Sequence, residues 1–222
     1  MNVLKNIYQY LTLYFCEPTT AITDFMLAGF CLWCFYRLKK LIGKKDPLSP
    51  WYAFFLAVGV STFMGGLAHS FSCLSQSIYY TTTWLIMQLF SGLSLFFAQQ
   101  AAFSNEISNS KIAKSLRTLS ILQFIVFAVL VVVFLDFKIV AINSFIGLVQ
   151  LAYIFFPKTL IDWEYKTLIC LGFLSSFLTI YINRTKLSFA HWFNHNDISH
   201  LVIFMSLLLI YKGVRYKHNN DK

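Results

Sequence analysis

The stretch His191–Val214, HWFNHNDISHLVIFMSLLLIYKGV, decides the fold. Its first ten residues hold three histidines and an aspartate, and a continuous greasy run follows. A run of that kind reads as a membrane segment, and polar groups at its mouth are costly there. The rest of the chain has to supply both the membrane and a use for those groups.

The composition supplies the membrane. Of 222 residues, 58% are hydrophobic and 12% charged, and the mean hydropathy is +0.63. A soluble domain carries about 25% charged residues. The 24 phenylalanines, many of them clustered, exceed what a core of this size could bury. Seven apolar runs follow one another at 20–38, 51–71, 78–103, 118–136, 138–157, 165–183 and 197–214. Each is close to the ~20 residues that a helix needs to cross a bilayer. The expected fold is therefore an all-α integral membrane protein, a seven-transmembrane helix bundle forming one domain over 1–222. The fourth and fifth runs are separated only by LDFK at 135–138, which reads as a tight helical hairpin. Residues 1–16 are amphipathic and lack the charged start, apolar core and cleavage site of a signal peptide; they read as an interfacial helix. Residues 215–222 read as a basic cytoplasmic tail, with His218 in solvent. His191 reads as loop.

The basic residues set the orientation. Fourteen of eighteen Lys and Arg fall after the first run, between the third and fourth, between the fifth and sixth, or after the last. Lys5, Lys138, Arg184 and Lys186 fall on the other face. The positive-inside rule then puts the N-terminus outside and the C-terminus in the cytoplasm. The net charge of +9 is read as loop charge facing anionic lipid, with no nucleic acid expected and no protein partner predictable from the sequence. Usage rich in Lys, Asn, Ile and Phe points to an AT-rich bacterium and so to an inner membrane. Cys31 and Cys34 lie one helical turn apart in an apolar run and read as packing. Cys16 and Cys73 fall on one side of the membrane, where a disulfide is open to them.

With the orientation set, the polar residues can be placed in depth. His69 lies about eighteen residues, or roughly 27 Å, along the second span, near the outer surface. The seventh span starts outside, so His195, Asp197 and His200 share that level, and Glu17 and Asp24 join them from the first span. Asp197 and His200 are spaced i, i+3 and point to one helix face, about 60° apart. His195 and His200 are about 140° apart on a regular helix and converge only if His195 precedes the helix, with Asn196 as N-cap. Imidazole with carboxylate suits zinc. An ion held by His69, His200 and one of His195 or Asp197 would keep a position open for water, and could hydrolyse an amide or ester whose tail stays in the bundle.

These residues resemble a known family. Seven spans, an outer N-terminus, a histidine late in the second span and histidines opening the seventh resemble the alkaline ceramidases and, more broadly, the CREST superfamily that includes the progestin and adipoQ receptors. The stretch FCEPTTAITDF at 15–25 is similar to the Trp-Cys-Glu segment of those ceramidases. That segment implies a calcium site, so Glu17, and Asp24 with it, inherit a calcium-binding role by resemblance. The family pattern is Ser-x-x-x-His in the second span, Asp in the third and His-x-x-x-His in the seventh. His69 and His200 match it; Gly65 stands in place of the serine, Asn196 in place of a histidine, and the third span has no acid.

The resulting expectation is a ceramidase-like zinc hydrolase of membrane lipid amides. Zinc would be bound by His69, His195 and His200, with Asp197 as substitute or outer ligand and Asp197 or Asp24 moving the proton. The alternative is a seven-span receptor or membrane scaffold with a structural metal. A retinal protein is excluded, because Lys212 lies at the inner end of the last span. A transporter would show paired broken helices, which are not evident.

Overall fold

The computed structural model describes residues 16–43, 46–156, 163–190 and 192–220. Residues 1–15 and His191 fall outside the described residues, and so do their expected interfacial helix and loop. The described chain forms seven helices long and apolar enough to cross a membrane. They are α1 (Pro18–Leu41), α2 (Ser49–Ser70), α3 (Ile78–Asn105), α4 (Ser110–Phe134), α5 (Phe137–Ile154), α6 (Trp163–Thr185) and α7 (His195–Asn220). The described residues form an all-helical bundle whose length and composition suit a multi-pass membrane protein.

Local chemistry sets the helix ends. Pro18 occupies the first turn of α1, where its missing N–H costs nothing. Ser77 caps α3 by accepting from the Tyr80 N–H, and Asn109 caps α4 by accepting from Lys111 and Ile112. That cap starts α4 eight residues before the apolar run, so Lys111, Lys114 and Arg117 lie on helix. The LDFK corner is the expected hairpin. Leu135 ends α4 in the left-handed region at φ 51°, and Asp136 caps α5 through the Lys138 N–H. At the far end α7 runs six residues past Val214, through Asn220. His218 is therefore buried, with Nδ1 3.9 Å from Asp46 of the α1–α2 loop, and the solvated tail expected there is corrected.

Neighbours in sequence pack side by side, α3 also meets α5, and α7 closes back onto α1. In lipid this association depends on close packing and interhelical hydrogen bonds, because lipid tails are as apolar as the helices. Both devices are visible. Gly172 and Gly213 let α6 and α7 approach backbone to backbone: a Cβ on Gly172 would stand 2.8 Å from the Ser206 carbonyl, and one on Gly213 2.9 Å from that of Tyr165. Ser175 and Ser206 bond at 2.7 Å across the same seam. In the other half, Gln99 of α3 donates to Gln123 of α4 and Gln150 of α5, and Gln123 donates to Asn143. The aromatic core around Trp51, Phe155 and Phe173 lies toward the end that carries most of the lysines and arginines. There the buried Glu106 joins three helices, pairing with Lys166 at 3.3 Å and Lys217 at 3.4 Å. The opposite, histidine end gathers the starts of α1, α3 and α7 and the ends of α2 and α6.

Candidate functional site

Three helices bring polar side chains together at the histidine end. From α1 comes the face Thr20, Thr23, Asp24, spaced i, i+3, i+4. Asp24 is two turns inside the helix and 4% exposed. From α2 comes His69, one residue before the helix ends. From α7 come Asp197 and His200, on one side of its first turns.

The start of α7 is a reciprocal cap. Asn194 Oδ1 accepts from the Asn196 N–H at 2.7 Å, while Asp197 Oδ2 accepts from the Asn194 N–H at 2.7 Å. The cap residue is thus Asn194 rather than the expected Asn196, and the helix already includes His195. Since i, i+5 residues of one helix diverge, His195 turns away: its Nε2 accepts from Lys186 Nζ at 3.0 Å in the α6–α7 loop. His69, Asp24 and His200 come together, and His195 does not join them. Asp197 is fully buried, and its second oxygen lies 3.4 Å from the Thr23 hydroxyl.

The two histidines are oriented alike. His69 Nδ1 lies 2.8 Å from Glu17 Oε2. That hydrogen bond holds the Glu17 carboxyl below the ordinary glutamate range, so Glu17 is an acceptor and the His69 Nδ1 carries the proton. His200 Nδ1 lies 2.8 Å from Thr23 Oγ1, which also lies 3.0 Å from the Thr20 carbonyl. Both Nε2 atoms face Asp24. His200 Nε2 is 3.4 Å from Oδ1 and His69 Nε2 is 4.0 Å from Oδ2. Room for that carboxylate comes from Gly65, where a Cβ would stand 3.0 Å from Asp24 Oδ2.

Two imidazoles and a buried carboxylate, brought from three helices, form a donor set suited to a cation. Tetrahedral zinc with ligands at 2.0–2.1 Å holds donor pairs roughly 3.3 Å apart. The His200–Asp24 pair has about that spacing, and the His69–Asp24 pair is wider. Among the described residues, no three His, Cys, Asp or Glu donors are already drawn close enough to grip an ion. A small turn of the His69 ring would be needed to complete the set. Calcium fits poorly, because Glu17 and Asp24 lie at opposite nitrogens of the His69 ring instead of side by side.

Two features went unread in the sequence: the orienting role of Thr23, whose only signal was the Thr20–Thr23–Asp24 spacing, and the placement of Asp24 as the shared carboxylate. The disulfide left open by the sequence is formed between Cys16 and Cys73, beside Glu17 and just beyond α2. The edge of the His69 ring faces Trp84, which stacks on Tyr80 as a wall from α3.

No curated protein and no solved structure matches the chain. One family model runs from the first turn of α1 to the last of α7 and takes in Asp24, His69 and His200. By that match to residues 19–219, the chain belongs to DUF6962, a family of unknown function.

Proposed function

We propose that the chain is a divergent, ceramidase-like membrane hydrolase of lipid amides that uses zinc held by His69, His200 and Asp24. One observation carries this reading: two imidazoles from separate helices turn the same nitrogen toward one buried carboxylate while an outer partner holds the other nitrogen. Metal-ligating histidines almost always have such an outer partner, which fixes ring and tautomer. Two histidines and a carboxylate are also the donor set of hydrolytic zinc sites that keep a position open. Zinc bound there would bring the pKa of a coordinated water toward 7 and polarise a carbonyl. Glu17 and Thr23 orient the rings, and Asp197 is the carboxylate left to move a proton. The Phe-rich spans offer apolar surface to the acyl chain of a membrane lipid substrate.

The site would face the outside of a bacterial inner membrane. Two features at opposite ends of the bundle support that orientation. The Cys16–Cys73 bond at the histidine end belongs in an oxidising compartment, and most Lys and Arg lie at the other end. A second reading, a receptor or scaffold with a structural metal, draws support from Asp197. One of its oxygens is held by the Asn194 N–H and the residue is fully buried, so it is poorly placed to act as a base.

The test is metal content of the detergent-purified protein, beside His69→Ala, His200→Ala and Asp24→Asn, followed by release of fatty acid from short- and long-chain ceramides. Near one zinc per chain, lost in the variants, with ceramide hydrolysis, supports the enzyme. Zinc without hydrolysis favours the second reading. A folded wild type that takes up no zinc refutes both.

A further inference from the structure

We infer that the Cys16–Cys73 disulfide is the clamp that holds Glu17 on His69, so that the site reaches its full form only where that bond can be made. The observations are positional. Cys16 adjoins Glu17 in sequence, and its backbone N–H reaches the carbonyl of Ser70, the residue after His69, at 3.4 Å. Cys73 lies four residues beyond His69, in the short 3-10 turn after α2. The covalent bond and the Glu17–His69 hydrogen bond therefore join the same two pieces of chain, 57 residues apart between the cysteines. Glu17 itself precedes the first full turn of α1 and makes no side-chain cap there. Its carboxylate is spent on the histidine. His69 and Ser72 face it from the α2 side, with Tyr80 of α3 and His195 of α7 nearby.

Glu17 is a positioning residue in this arrangement. It acts through the Nδ1 proton of His69, fixing the ring so that Nε2 stays turned toward Asp24. Reduction takes up two electrons and two protons and yields two thiols. A dithiol or phosphine supplies the electrons outside the cell, and thiol–disulfide exchange supplies them inside it. With the bond open, no covalent link holds residues 16 and 17 to α2 beside the hydrogen bonds with Ser70, His69 and Ser72, and the ring loses its fixed partner. Loss of such an outer partner typically weakens metal binding about 10- to 100-fold.

The metal arm of the test rests on the zinc reading above; a second arm does not. In the first, zinc affinity is measured for wild type, Glu17→Ala, Cys16→Ser with Cys73→Ser, and the triple variant. The clamp requires losses of about 10- to 100-fold in the first two variants and no further loss in the third, because both changes remove one interaction. Unchanged affinity without the disulfide, or losses that multiply, overturns it. In the second arm, glutamate side chains are labelled with carbon-13 and titrated by NMR without metal. The chain has three glutamates, Glu17, Glu106 and Glu164, and Glu17→Gln assigns the signal. The Glu17 midpoint should rise toward the ordinary range when the bond is absent; an unmoved midpoint overturns the clamp. Phosphine reduction of folded wild type gives the same comparison if the serine variant does not fold. If wild type takes up no zinc, the zinc reading falls and the NMR arm decides the clamp.

Discussion

Replacing Gly65 by alanine tests whether Asp24 belongs to the site. The new Cβ would lie 3.0 Å from Asp24 Oδ2 and 3.4 Å from both Cγ and Oδ1. Non-bonded heavy atoms rest at about 3.5–4.0 Å, so the carboxylate has to retreat by about 0.5 Å. It cannot retreat freely, because His200 and His69 stand on its other sides at 3.4 and 4.0 Å. A displacement of about 0.5 Å is the limit at which a binding constellation stops being productive. Zinc affinity should therefore fall by about tenfold, comparable to losing an outer partner. Stability should change less. Alanine in a helix interior is better than glycine by about 0.8–1.0 kcal/mol, and crowding a packed site costs about 1–3 kcal/mol, leaving a net loss of about 0–2 kcal/mol. Gly29→Ala is the matched control, since a Cβ there meets nothing within 4 Å. It should hold or raise the melting temperature and leave zinc alone. Competition titration against a chromophoric chelator reads affinity, and thermal unfolding in detergent reads stability. Unchanged affinity in Gly65→Ala, or an equal fall in Gly29→Ala, would refute the assignment of Asp24.

Other outcomes follow from the same geometry. His195→Ala should keep its zinc, because the ring is committed to Lys186, whereas His200→Ala should lose it; zinc loss in both would return His195 to the ligand set. The depressed Glu17 carboxyl stabilises the fold above the ordinary glutamate pKa of about 4.3, and that contribution is lost as pH falls through the folded value. Between pH 6 and 3 the melting temperature of wild type should thus drop more steeply than that of Glu17→Gln, and parallel curves would contradict the hydrogen bond. Gly92→Ala should destabilise by about 1–3 kcal/mol, since its Cβ would overlap the buried Phe127 ring; a neutral result would mean α3 and α4 are less closely packed than described. Gln99→Leu removes the donor shared by Gln123 and Gln150 and should cost about 0.5–2 kcal/mol in denaturant unfolding, the range for interhelical hydrogen bonds in membranes.

The spans were legible because hydropathy records where a chain can sit in lipid. It does not record where the helix stops, which is why α4 began eight residues early and α7 ran on to Asn220. There the hydrogen-bond ladder continues past the apolar run, carried by the Asn109 cap and by packing against Asp46. Depth was legible too, since His69 and His200 do reach the same level. Rotation about each helix axis was not. Spans apolar on every side give no preferred face, so nothing in the first span said that Asp24 would point at both histidines. That setting comes from the gap at Gly65 and from Thr23 meeting His200, which are contacts between residues far apart in sequence. His195 shares the depth of His200 but converges with it only from a position ahead of the helix. Asn194 caps the helix two residues before the Asn196 cap that this convergence needs, and the ring turns toward Lys186.

The cap at Asn194 also bears on how the site could come apart. Asp197 closes the first turn of α7 with one oxygen and reaches the Thr23 hydroxyl that orients His200 with the other. Helix ends are where local unfolding starts at least cost, and the residues that fray first at this end include Asp197, which lies beside the Thr23 hydroxyl that meets the His200 ring. An opening too small to disturb the bundle would therefore be enough to release the ring. Occupancy of the pocket would, in return, hold the first turn shut, so that the order of one helix end and the state of the site are a single equilibrium.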